Sequence, residues 1–221
     1  MAKRAEPGRF ITFEGLDGCG KSTQLEKLAG FLNQQGIEVI TTREPGGTEI
    51  GERIRAVLLD SRTAVLDPHA EMALMFASRA QQIAQVILPA LEAGKWVLCD
   101  RYTDSTEAYQ GGGRQLGSEA VLRAHEVLCR GLWPDLTILM DSDVSSSVAR
   151  ARRRNRAAAH EESDENRFEK ESHAFFTRVR NAYLEIARRE PQRVAMVDAR
   201  PSLDVVHPEI VRVVRERLSL S

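Results

Sequence analysis

The sequence predicts an α/β fold, a parallel sheet of about five strands with helices on both faces, three layers in all. Short apolar runs rich in β-branched and aromatic residues alternate with longer stretches of helical periodicity along the 221-residue chain, which is the pattern of successive strand–helix units. The first strand is joined to the first helix by Gly15-Leu16-Asp17-Gly18-Cys19-Gly20-Lys21-Ser22, a G-x-x-x-x-G-K-S loop that belongs in a strand–loop–helix setting. At 42% hydrophobic and 29% charged residues, the chain can bury one sizeable core, so a single domain over 1–221 is expected.

The elements follow in order. Arg9-Phe10-Ile11-Thr12-Phe13-Glu14 reads as a buried strand over 10–14, and the run from Ser22 opens a helix over 21–35. A second strand over 39–42 ends at the breaker cluster Glu44-Pro45-Gly46-Gly47-Thr48, which must be a loop at that strand's carboxyl end. Helices are predicted over 48–59 and 68–93; Pro89 removes the bond to Gln85 and is expected to kink or end the second of them. After a strand over 96–99, Gln110-Gly111-Gly112-Gly113-Arg114 is expected to stop a short helix and let backbone approach something closely. Helices over 118–131, 144–156, 165–190 and 202–218 alternate with strands over 136–140 and 194–197. The polar stretch after Arg156 reads as a flap, making 150–166 a lid segment. No internal repeat or low-complexity linker interrupts the series.

Composition removes several function classes. The formal net charge is −1, so nothing global favours nucleic acid or an acidic membrane surface. Three cysteines, Cys19, Cys99 and Cys129, are too few and too scattered for a disulfide framework or a zinc site and suit a reducing cytosol. Residues 1–8 lack an apolar stretch and read as a flexible tail, and no segment approaches a membrane span.

The chemistry gathers at the carboxyl ends of the strands, where ligands sit in open parallel sheets. Loop N–H groups and the helix N-terminus would cradle the phosphates of a nucleoside triphosphate, with Lys21 on the outer ones and the Ser22 hydroxyl on Mg²⁺. Cys19 lies in the loop, either as a tolerated small residue or as an oxidation-sensitive one. Beside the loop should come Arg43-Glu44-Pro45-Gly46-Gly47, Asp100-Arg101-Tyr102 and Asp141. Asp100 is placed either to hold Mg²⁺ or to cap the next helix. Arg43 and Arg101 are either solvated surface charges or guanidinium forks for the phosphate of an acceptor. Such an acceptor is already an anion, so its phosphorylation needs alignment and charge neutralisation rather than a general base. The run Arg150, Arg152, Arg153, Arg154, Arg156 is a lid, a solvated face or a nucleic-acid patch; acids follow at once and no aromatics are interleaved, which favours the lid.

Together these residues resemble the bacterial thymidylate kinases. Phe13 to Thr23, Thr42-Arg43-Glu44-Pro45-Gly46-Gly47-Thr48, Asp100-Arg101-Tyr102 and Ser105-Thr106-Glu107-Ala108-Tyr109-Gln110-Gly111-Gly112-Gly113 occur in that family's order and spacing, within a match spanning about 9–200. The resemblance implies a three-layer P-loop NTPase fold of the nucleoside monophosphate kinase kind. It also implies transfer of the γ-phosphoryl group of ATP to dTMP with Mg²⁺, giving dTDP for dTTP synthesis, by a cytoplasmic homodimer. Carried onto this chain, ATP falls to Gly15, Leu16, Asp17, Gly18, Cys19, Gly20, Lys21, Ser22 and Thr23, and Mg²⁺ to Ser22 and Asp100. The dTMP phosphate falls to Arg43 and Arg101, the base to Phe76 and Arg79, and the deoxyribose to Tyr109, with Glu44, Pro45, Ser105, Thr106 and Gln110 lining the site. An acid in the loop, Asp17, marks the type that supplies its catalytic arginine from the lid, here Arg152 or Arg154, beside Lys21 and Arg101. One departure is Asn166-Arg167-Phe168, where the family usually carries an acid first. A deoxynucleoside kinase, with Glu44 as base, and a P-loop regulatory protein that is not a kinase are the alternatives.

Overall fold

The computed structural model describes residues 8–60, 62, 66–158 and 167–220, with backbone alone for 154–158 and 169. Five parallel strands, β1 (Phe10–Glu14), β2 (Val39–Arg43), β3 (Trp96–Asp100), β4 (Leu136–Asp141) and β5 (Val194–Asp198), form one sheet in the order β2-β3-β1-β4-β5. The register sets Arg43 opposite Asp100 and Asp100 opposite Phe13, so β2, β3 and β1 end at one level. The strands sit within a residue or two of their predicted spans. They run one residue further where ladder pairing continues onto Arg43, Asp100, Asp141 and Asp198.

Alternation along each strand sorts side chains onto two faces. Ile11 and Phe13 of β1 and Leu98 of β3 join Leu25, Leu28 and Leu32 of α1 (Lys21–Gln34) and Ile210 and Val214 of α9 (Leu203–Leu218). Phe10, Val97 and Cys99 point the other way, onto Phe76 of α3 (Pro68–Gln82) and Val121 of α6 (Ser118–Leu128). Leu139 meets Phe176 and Val179 of α8 (His173–Arg189) on that same side.

Local chemistry starts the helices. Thr48 caps α2 (Glu49–Leu59), Asp67 caps α3 with Pro68 in its first turn, and Ser172 caps α8. α1 differs: its N-cap is Gly20 in the left-handed conformation, with no side-chain cap, so its first-turn N–H groups remain for an anion.

Two helical expectations are refined. The stretch 68–93 does not end at Pro89, but its α-helical course is interrupted just before it. α3 passes through a π-helical turn, Ile83–Ile87, into α4 (Leu88–Glu92), and the wider turn lets the chain pass the proline, which cannot donate to the preceding turn. The glycine cluster ends its helix as expected, at Gly113 before Arg114, but only after forming its last turn. α5 (Thr103–Thr106) continues as a π-helical segment, Glu107–Gly113. What the glycines approach is α8: a Cβ on Gly112 would stand 2.6 Å from the Ala182 Cβ, and one on Gly113 2.6 Å from the Phe175 ring.

α7 (Val144–Ala158) carries the first part of the predicted lid; 159–166, with Asn166, and tail residues 1–7 lie outside the described residues. The helix predicted from 165 is instead a 3₁₀ turn, Phe168–Lys170, followed by α8. Among the described residues no helix is long and apolar enough to cross a membrane.

Candidate active site

The phosphate loop depends on its glycines. Gly15, Gly18 and Gly20 have φ of 131°, 81° and 98°, a region that L side chains avoid. A Cβ on Gly15 would lie 2.5 Å from the Met140 carbonyl oxygen, and one on Gly18 2.4 Å from that of Ser147. Lys21 is buried, and its Nζ donates to the Gly15 and Leu16 carbonyls at 3.2 and 2.9 Å, which holds the ammonium inside the loop. Burial pushes the Cys19 thiol up against the opposing pull of Lys21, which disfavours the reactive thiolate.

Beside the loop, the Ser22 hydroxyl donates to Asp100 Oδ2 at 2.6 Å. Asp100 does not cap the next helix, whose N-cap is Tyr102 without a side-chain bond. The hydroxyl–carboxylate pair at the start of α1 fits Mg²⁺, which takes one or two protein oxygens and completes its shell with phosphates and water.

Arg101 stands next to this pair in the left-handed region, φ 74°, a conformation costing a non-glycine residue about 1–3 kcal/mol. Its N–H bonds the Phe13 carbonyl at 2.9 Å. One guanidinium nitrogen, Nη2, donates to Asp17 Oδ1 at 2.7 Å and the Tyr109 hydroxyl at 3.2 Å; Nη1 reaches the Ser105 and Tyr183 hydroxyls at 2.9 and 3.1 Å. The Tyr109 ring centroid lies 5.0 Å away. Arg101 is thus no solvated surface charge; it is a cation held between Asp17 of the phosphate loop and Ser105 and Tyr109 of the helical segment after β3. Behind it, buried Glu14 accepts from the Tyr102 N–H at 2.7 Å and from the Ser105 and Tyr183 hydroxyls at 2.5 and 3.0 Å. Desolvation first, and Asp104 second, push Glu14 up to about 7.

At the end of β2, Arg43 is 54% exposed and donates to Glu52 Oε2 at 3.0 Å. Glu44 turns inward, and Arg79 Nε donates to its Oε2 at 2.5 Å. Burial pushes Glu44 up to about 7 against the opposing charge of Arg79. Arg79, 2% exposed, lies 4.9 Å from the Phe76 ring centroid and bonds the Thr106 hydroxyl at 3.0 Å. Gln82 Nε2 ties this loop down through the Arg43 and Gly46 carbonyls at 2.8 and 3.1 Å. Gln110, one helical turn beyond Thr106, donates from Nε2 to Glu71 Oε1 at 2.7 Å.

Most of the expected site residues therefore gather around one edge, and the structure adds several that sequence reasoning did not single out. Gln82, Glu71 and Tyr183 are polar groups on otherwise apolar helix faces, a signal visible in sequence but silent about their partners. Arg150 Nε donates to the Gly18 carbonyl at 2.7 Å; Arg152 is exposed on the same helix, and the Arg154 side chain lies outside the described residues. Asp141 is held by Arg180 in a two-pronged pair at 2.7 and 2.8 Å.

A triphosphate-sized loop with a half-buried arginine across the neighbouring strand end is suited to moving a phosphoryl group onto a second anionic substrate. With this strand order, that puts the chain in the class of P-loop kinases with a nucleoside monophosphate kinase-like fold. Comparison with known proteins narrows the class. The family model described as Thymidylate kinase matches residues 13–210. The thymidylate kinase of Thiobacillus denitrificans is 48% identical over 210 residues, covering 95% of this chain and 98% of that protein. That of Solidesulfovibrio magneticus is 48% identical over 95% of this chain and all of its own length. The crystal structure of thymidylate kinase from Ehrlichia chaffeensis superposes with a TM-score of 0.76 at 31% identity, over 95% of this chain and 100% of that one. The chain belongs to the thymidylate kinase family.

Proposed function

We propose that the protein transfers the γ-phosphoryl group of ATP to dTMP, giving ADP and dTDP for dTTP synthesis. The observation that carries this reading is the position of Arg101, bonded to Asp17 of the phosphate loop and packed over Tyr109, between donor loop and acceptor pocket. Gly15 to Thr23 hold ATP, with Lys21 moving from the loop carbonyls onto the outer phosphates. Ser22 and Asp100 hold Mg²⁺, which when bound neutralises phosphate charge. Arg101 and Arg43 take the acceptor phosphate. Arg43 exchanges Glu52 for it, and Arg101 turns part of its hydrogen bonding toward it. Phe76 stacks on the thymine, Arg79 reads its edge, and Tyr109 lies under the deoxyribose. Ser105 serves from behind, its hydroxyl being engaged by Glu14 and Arg101. Lid arginines Arg152 and Arg154 neutralise the transferring group; Arg150 secures their helix to the loop. Alignment and charge neutralisation supply the rate, since the acceptor oxygen carries no proton to remove.

A homodimer and a cytoplasmic setting complete the reading. Ile50 and Val57 on α2 and Val127 and Leu128 on α6 are large apolar side chains exposed to solvent, Val127 at 76%. Both helices pack against α3, so one helical surface is available to a second copy. Light scattering should return twice the chain mass.

A coupled assay over dTMP, dUMP, dCMP, AMP, GMP and thymidine tests the chemistry. ADP release should require dTMP, and thymidine should be inert. Equal turnover of thymidine would make Glu44, raised to about 7, the base of a nucleoside kinase instead. ATP hydrolysis indifferent to every monophosphate would point to a regulatory protein.

A further inference from the structure

We propose that Glu71 is a positioning residue that makes the acceptor site selective for 4-keto pyrimidines over 4-amino ones, by fixing which end of the Gln110 amide faces the base. The proposal rests on the dTMP reading above.

Glu71 lies on α3 and is fully buried. Its Oε1 accepts from Gln110 Nε2 at 2.7 Å and from Arg114 Nε at 3.1 Å; its Oε2 accepts from Arg114 Nη2 at 3.1 Å and Arg167 Nη1 at 2.7 Å. With a two-pronged guanidinium on one side and a second on the other, both oxygens act as acceptors. Only the NH₂ end of the Gln110 amide can face them, because the opposite rotamer would set a carbonyl oxygen against a carboxylate. The carbonyl end is therefore turned away, and Gln110 Oε1 is a buried acceptor with no partner among the described residues. Arg79 Nη1 is a buried donor in the same condition, on a guanidinium whose other Nη bonds Thr106, one helical turn before Gln110.

Glu44 Oε1 and Arg167 Nη2 are also buried without a partner among the described residues, but it is the Arg79 donor and the Gln110 acceptor, flanking Thr106, that match a base edge presenting an acceptor and a donor. Thymine and uracil offer O4 to Arg79 and N3–H to Gln110. Cytosine reverses both, with N4–H₂ against a guanidinium and an N3 lone pair against a carbonyl. A turned Gln110 amide would rescue the N3 contact, and Glu71 is what prevents that turn. Buried polar sites reject the mismatched analogue strongly because their own groups are left unpaired. Arg114 and Arg167 act one step further back: their bonds to both Glu71 oxygens hold the carboxylate in place as an acceptor toward the Gln110 amide.

The test is kcat and KM for dTMP, dUMP and dCMP with the full chain, wild type, Glu71→Gln and Gln110→Met. A Gln at 71 can donate as well as accept, so the Gln110 amide is released. Glu71→Gln should lower the dTMP-over-dCMP ratio of kcat/KM by about tenfold or more, with the loss for dTMP appearing in KM rather than kcat and dUMP following dTMP. Gln110→Met removes the amide while leaving Glu71 its two arginines, and it should erase a similar part of the ratio. Glu71→Gln added to it should then change the ratio no further. An unchanged ratio in either folded variant, or an equal loss for all three acceptors, would overturn the proposal. If Glu71→Gln fails to fold, Gln110→Met decides alone. A wild-type enzyme inert toward dTMP would refute the acceptor reading and this proposal with it; an active wild type with an unchanged ratio refutes this proposal alone.

Discussion

Arg101 and Asp17 meet at 2.7 Å, joining the end of β3 to the middle of the phosphate loop. An acid in the donor loop and an arginine of the acceptor side are thereby one electrostatic unit, and each limits where the other's charge can act.

Arg101→Ala should therefore harm the acceptor side more than the donor side. Losing a charge-assisted pair of bonds to the acceptor phosphate is expected to cost about 10- to 100-fold in kcat/KM for dTMP. Binding of a non-hydrolysable ATP analogue, measured by calorimetry, should stay within a few-fold. Loss of analogue binding would move Arg101 to the donor site.

Ser22 and Asp100, 2.6 Å apart, make a prediction about metal. Asp100→Asn should raise the Mg²⁺ concentration needed for half-maximal activity by about 10- to 100-fold, while metal-free nucleotide binding changes little. A Mg²⁺ titration unchanged by the substitution would return Asp100 to a purely structural role.

Glu14 carries a pH signature. Its folded value, pushed up to about 7, stands above its ordinary 4.5, so the folded state holds a proton that the unfolded chain releases between those limits. The stability this contributes is present in full below pH 4.5 and is lost as pH rises through 7. Glu14→Gln keeps a neutral hydrogen-bonding group at every pH. Its stability relative to wild type should rise by about 1.4 kcal/mol per pH unit across that window. Urea melts at pH 5, 6 and 7 would show it; taking the difference cancels the opposite slope of His125, which burial lowers to about 4. A flat difference would mean that Glu14 is ionised throughout.

Two glycines should respond with opposite signs. Gly112→Ala puts a methyl 2.6 Å from the Ala182 Cβ, and overpacking of this kind costs about 1–3 kcal/mol. Gly30 sits in α1 with nothing within 4 Å of an added Cβ, so Gly30→Ala should stabilise by about 0.4–1 kcal/mol. Chemical denaturation of both variants checks the pair.

The inner strands β3, β1 and β4 were legible because a strand buried on both faces is a short apolar run bounded by breakers, and the half-exposed edge strands β2 and β5 because their β-branched runs stand between breakers. The glycine run at Gly111, Gly112 and Gly113 was legible as a helix stop and a close approach, but not as part of the helix itself. Read locally, it is a breaker; in the structure it is also the last turn of the helix it ends, and its missing side chains make room for Phe175 and Ala182. Ser22, Lys21, Asp100 and Arg101 were legible as a site because each sits at a strand or loop end that topology brings to one edge. Glu71 was not. It looks like one more helical acid until Gln110, Arg114 and Arg167 arrive from 39, 43 and 96 residues away.

The loop's glycines, the unfilled start of α1 and the strand ends that face it follow from backbone preferences encoded within a few neighbouring residues, and those could be read along the chain. Which charge neutralises which could not. Whether Arg101 turns to Asp17 or to solvent, whether Glu44 meets Arg79, and which end of the Gln110 amide is spent on Glu71 depend on α3 and α8 settling on the sheet. Only then do side chains distant in sequence share a dry space in which an unpaired charge is too costly to remain. The phosphate loop was thus written locally, whereas the cluster around Arg79, Glu44, Gln110 and Glu71 came into being through packing.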